Sequence, residues 1–286
     1  MANISLKKLF PNATKGNIIE ILLKKTGHDG RHDVQPVRIL DFLGLRHKSM
    51  DLSKLSELEE EQSLIRALLD YEKKLIITDV ALEKNENRLR FSVFHEVGHY
   101  VLPDHQDTFY LCSQRSIFED SHNSTEKEAN SFAADLMFHG SQFSLFSNEM
   151  QISASTVKKL SNKYKASIEA TCRHMVEKSL KPVLLVVYEK KPVFSLEHMN
   201  QSPLWDVKYD IPSPLFREQY GVSVSRDPGN EIVQEIGETY CDIENTRTDR
   251  VIASTNGKNI FFECEYFTNY HNVFRIMRPL SGMKAV

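Results

Sequence analysis

The segment 88-RLRFSVFHEVGHYVL-102 sets Leu89, Val93, Val97 and Val101 four residues apart, a spacing that predicts a helix with one apolar face. His95 and His99 then project from a common side one turn apart, with Glu96 beside the first. Two imidazoles in that relation can chelate one metal ion, and the adjacent carboxylate can take a proton from an attacking water. The pentapeptide alone also arises in helices whose histidines are surface or capping residues. A third ligand elsewhere in the chain decides between these readings.

Three residues compete for that role. His105 fits the histidine spacing of HExxHxxGxxH, but Leu102 and Pro103 occupy the place where that motif turns on glycine. Leucine does not adopt positive φ cheaply, and Pro103 biases Leu102 toward extended geometry, so His105 reads as a loop histidine at the cleft. In 121-SHNSTEKEANSFAADLMFHG-140, helix-start residues precede an apolar face of Ala129, Phe132, Ala133, Leu136 and Met137. Glu126 and Asn130 lie one turn apart on its edge, as a ligand and a residue that hydrogen-bonds a ligand imidazole would. Asn123 and Glu126 also fit a capping box, and Glu128 is a rival carboxylate.

Composition places few limits on function. Lys and Arg total 36 against 39 Asp and Glu, a net charge of -3, which gives no global drive toward nucleic acid or anionic membrane. No apolar run is long enough to cross a bilayer, and the N-terminal stretch lacks a signal-peptide core. Cys112, Cys172, Cys241 and Cys264 are far apart and read as thiols in a reducing compartment. The expectation is a cytoplasmic protein.

Along the chain, residues 17–25 and 34–45 predict helices, the second stopped at Gly44. Residues 66–79 predict a hairpin around Glu72-Lys73-Lys74. The strand Leu75, Ile76, Ile77, Thr78 is either the edge at which a substrate segment adds by β-pairing or an ordinary internal strand. Residues 152–180 return to helical spacing, and the chain beyond 181 is strand-rich, with Asn256-Gly257 as a hairpin turn. The division predicted is 1–145, 146–180 and 181–286.

FSVFHEVGHYVL, followed some thirty residues later by EKEANSFAADLM, resembles the ImmA/IrrE family of metallopeptidases. The resemblance covers roughly residues 30–180. It implies an α+β protein: a zincin-like helical peptidase domain with a small antiparallel sheet, a helix-turn-helix-like segment, and a C-terminal α/β domain of GAF-like, sensory kind. It implies zinc, or another divalent ion such as Mn2+ in the cell, held by His95, His99 and Glu126, with Asn130 supporting the site and Glu96 as general base. It further implies a helix-turn-helix repressor as the protein substrate, cut to release stress-response or mobile-element genes. One departure is DLMFHG in place of the family's Leu-Leu-Met-Pro, which bears on how that helix ends.

The competing class is a DNA- or protein-binding regulator with a structural or vestigial metal site. Residues 153–179 are locally basic through Lys158, Lys159, Lys163, Lys165 and Arg173, and would suit DNA binding by a second helix capped at Ser167. The favoured reading has these helices packing against the peptidase, with their lysines solvated. Candidates for an oxyanion donor are Tyr100, His105, Tyr110 and His122.

Overall fold

The computed structural model describes residues 6–10, 14–30, 32–53, 65–105, 109–113, 124–190, 205–221, 231–238, 243, 246–255 and 258–284. The chain forms two compact units, Met1–Phe143 with Lys163–Lys165, and Ser144–Asn162 with Ala166–Val286. The first break falls close to residue 145. Apart from Lys163–Lys165, the helical segment after it groups with the C-terminal strands.

In the first unit, helices α1 (Leu6–Leu9), α2 (Lys15–Lys25) and α3 (Pro36–Leu43) precede the sheet. The Thr14 side chain accepts from the N–H of Asn17 to start α2. Pro36 opens α3, and Gly44 ends it at φ 69°, a left-handed position that glycine takes at no steric cost. The sheet then forms from β1 (Arg46–Met50), β2 (Ile65–Asp70), β3 (Leu75–Asp79) and β4 (Phe109–Ser113) in the order β1-β3-β2-β4. β2 and β3 make the expected hairpin, with Lys74 at φ 51° in its turn.

Two expectations need correction here. The sheet is mixed, because β1 runs parallel to β3. β3 is also interior, paired with β1 along one side from Leu75 to Asp79 and with β2 along the other. Leu75, Ile76, Ile77 and Thr78 therefore have no backbone edge for an added strand; among the described residues the sheet's outer strands are β1 and β4.

Helix α4 (Glu86–Val101) starts at Asn85, whose side chain accepts from the N–H of Arg88, and packs on β2 and β3. From Ser92 to Val101 every residue is buried, so α4 is the unit's central helix and not a surface one. Leu102 is extended (φ -72°, ψ 134°), as Pro103 requires, and a short 3-10 turn over Pro103–His105 follows. Helix α5 (Ser124–Met137) packs against α4 and α2. It ends without proline, on His139 (φ 66°) and Gly140 (φ 59°), with the Gly140 N–H returning to the Asp135 carbonyl at 2.6 Å.

Helix α6 (Ser141–Asn148) crosses the boundary between the units. Beyond it lie α7 (Ala154–Tyr164), α8 (Ile168–Glu177), β5 (Leu184–Lys190), β6 (Trp205–Pro212), α9 (Pro214–Tyr220), α10 (Glu231–Glu238), β7 (Arg247–Thr255), β8 (Lys258–Thr268) and β9 (Asn272–Lys284). The five strands form one antiparallel sheet in the order β6-β5-β9-β8-β7. Thr255 pairs with Lys258, so the expected hairpin is present, while residues 256–257 lie outside the described set. One sheet face packs Leu184, Val186, Tyr188, Phe262 and Tyr266 with Phe216 of α9 and Val233 and Ile236 of α10. Helix α8 lies on β5 and β6, where Glu169 accepts from Tyr209 Oη at 2.7 Å and Asn272 Nδ2 at 2.9 Å. Its apolar side, Cys172, Met175 and Val176, is buried in the second unit.

Candidate metal centre

Helix α4 delivers His95 and His99, and α5 delivers Glu126, because the two helices cross closely at Gly98. A Cβ there would stand 3.1 Å from Phe132 Cδ1 and 3.4 Å from the Ala129 Cα. Glycine at the fourth position of HEVGH thus lets the third donor reach the other two.

The three donors converge. His95 Nε2 and His99 Nε2 are 3.0 Å apart, and the Glu126 carboxylate lies 3.2 Å from the first and 3.4 Å from the second. A tetrahedral site with ligand bonds of 2.0–2.1 Å has edges of about 3.3 Å. The donor chemistry also fits a divalent cation. Both imidazoles are wholly buried, and burial pushes His99 down to about 4 against the partial opposition of Glu126. Burial would raise the Glu126 carboxyl, but the His95 and His99 imidazoles, 3.2 and 3.4 Å away, outweigh it and hold it well below the usual carboxylate range. Neutral imidazole beside carboxylate is the protonation state a metal requires. Among the described residues these three form the cluster of His, Cys, Asp and Glu groups able to hold an ion.

The other expected residues sort by position. Asn130 Oδ1 lies 2.8 Å from His95 Nδ1, the contact a supporting residue makes. Glu96 is fully buried on α4, next to the first histidine. The rival Glu128 is half exposed and points to His105, at 3.2 Å from its Nε2. His105 donates nothing to the cluster, yet it is buried and its Nδ1 stands 3.1 Å from His99 Nδ1. The sequence reading of His105 as a loop residue missed that contact; its only signal was a histidine six residues past His99. Tyr100 packs against Tyr71 with ring centroids 5.0 Å apart, and the Tyr110 side chain, His122 and Asn123 lie outside the described residues.

Cys172 and Cys264 are buried free thiols, each pushed up by burial. An open cavity of about 400 Å³ in the second unit is lined by Ser155, Lys158, Lys159, Asn162 and Glu265, and no metal-centre residue borders it. Glu265 there accepts from the N–H of Ala154 and from Arg278, a structural role. No helix of the described residues is long and apolar enough to cross a membrane.

The family model for the IrrE N-terminal-like domain, peptidase M78, matches residues 62–175, a span that includes all three donors. No curated protein matches the chain significantly. Among solved structures, a Mycobacterium tuberculosis transcriptional regulator is similar at TM-score 0.52 and 11% identity, over 93% of this chain and 75% of that one. At that identity the likeness is one of fold alone.

Proposed function

We propose that the chain, whose residues 62–175 match the IrrE N-terminal-like peptidase family, is a zinc-dependent endopeptidase that cuts a helix-turn-helix repressor at one site and so releases the genes it silences. The observation that carries the reading is the convergence of His95, His99 and Glu126 at tetrahedral-edge distances, with Glu96 adjacent. A divalent ion bound there, zinc or Mn2+, would supply Lewis acidity toward the scissile carbonyl. His95, His99 and Glu126 hold it. Asn130 fixes the His95 ring, and Glu96 takes the proton of the attacking water and passes it to the leaving amine.

The substrate segment would add along the outer edge of β4, since β3 is closed on both sides. The second unit, an antiparallel sheet with helices on it, would serve as the regulatory, GAF-like module, a role supported by its α+β architecture. DNA recognition by α8 is disfavoured, because Glu169 is tied to the sheet and Arg173 to Glu177 and the Tyr209 ring.

The test is substrate capture with Glu96→Gln. This variant keeps the ion and binds the repressor, while cleavage falls about a hundred- to ten-thousand-fold. Wild-type protein then cuts the captured repressor once, and a chelator prevents it. Retention of DNA, or of a partner that wild type leaves whole, would replace this reading with that of a regulator.

A further inference from the structure

His99 presents Nε2 to the shared point of the cluster, so its proton must sit on Nδ1 for the Nε2 lone pair to be available. A neutral imidazole in water favours the opposite tautomer. His95 meets the same requirement by donating from Nδ1 to Asn130 Oδ1. The Nδ1 of His99 faces instead the Nδ1 of His105 at 3.1 Å, and His105 turns its Nε2 to Glu128 Oε2 at 3.2 Å.

We propose that Glu128, His105 and His99 form a hydrogen-bond relay that holds His99 in its Nδ1–H tautomer and thereby preorganises the metal centre. The assignment is self-consistent along its length. The Glu128 carboxylate accepts from His105 Nε2–H, which leaves His105 Nδ1 as an acceptor, and that nitrogen takes the Nδ1–H of His99. The turn Pro103–His105 makes this possible by folding the chain back after α4, so that His105 is buried against the last ligand of that helix. His105 is then a positioning residue, acting through His99 and not on substrate. Glu128, two residues from Glu126 along α5, reaches the site from its outer side.

The inference rests on the metal-centre reading, and the experiment separates the two. Zinc affinity of the full chain is measured by competition with a chromophoric chelator, and the His99 tautomer of the metal-free chain by side-chain nitrogen NMR. His105→Ala is expected to weaken zinc binding about 10- to 100-fold and to move His99 toward Nε2–H. His105→Asn, whose amide oxygen can accept where Nδ1 did, retains affinity and tautomer. Wild-type values of either quantity in His105→Ala overturn the relay, as does a His105→Asn as impaired as the alanine. Should His105→Ala not fold, the exposed Glu128→Ala carries the test. Reduced affinity with a shifted tautomer upholds the relay, and a wild-type value of either overturns it. If the wild-type chain takes up no zinc, the metal reading fails and the tautomer measurement alone decides the relay.

Discussion

His99 sits where burial and a carboxylate pull in opposite directions, and burial prevails, leaving its imidazole at about 4 against an ordinary 6.5. Between those values the unfolded chain binds a proton that the folded chain refuses, so stability falls as pH drops from 6.5 toward 4. Glu126, held below its ordinary range, adds a second loss once the carboxylate region is reached. Denaturant unfolding of the chelator-treated protein should therefore show stability declining from pH 6.5 downward, with the upper part of that decline missing in His99→Gln. The histidines and Glu96 were legible in the sequence because helical spacing alone groups them. Glu126 and Glu128 were separable only by direction, since residues two apart on a helix face different ways. The contact of His105 with His99 depends on a 3-10 turn that no periodicity announces.

At the scale of elements, the crossing of α4 and α5 makes the site. Gly98→Ala would push a methyl against the buried Phe132 ring and the Ala129 backbone. Overpacking of that kind costs about 1–3 kcal/mol, more than the ~1 kcal/mol that alanine gains over glycine in a helix. The expected outcome is a lower unfolding temperature for the metal-free protein together with weaker metal binding, read by calorimetry and chelator competition. An unchanged melt would mean the helices part without cost. Helices α2 to α5 and the hairpin were readable from caps, glycine stops and apolar spacing. The strand β1, Arg46–Met50, was not, because it is an exposed polar edge with no alternation to betray it. For the same reason LIITD could not be placed as edge or interior. Its apolar run reads alike in both, and only the pairing of polar β1 beside it decides.

For the whole molecule, the helix-rich to strand-rich change near residue 180 falls inside the second compact unit. Helix α8 lies before it and packs on β5 and β6 after it. A chain truncated after residue 180 would leave Cys172, Met175 and Val176 without the sheet and Glu169 without Tyr209 and Asn272. Such a chain should bind a hydrophobic dye and lose helical circular dichroism relative to its length. Full retention of helix would show that α8 is stable without the sheet. Spacing within α8 was legible, including its Ser167 cap, which accepts from the Ala170 N–H. Its packing partner was not, because an apolar helical stripe does not say which surface covers it.

The central claim is that His95, His99 and Glu126 hold one catalytic ion and that Glu96 does not hold it. The most direct measurement is the metal content of the purified full chain, wild type against His95→Ala, Glu126→Ala and Glu96→Gln. The account predicts one zinc or similar divalent ion per chain in the wild type and in Glu96→Gln, and its loss in the other two. An ion retained without Glu126, or lost with Glu96, would contradict it.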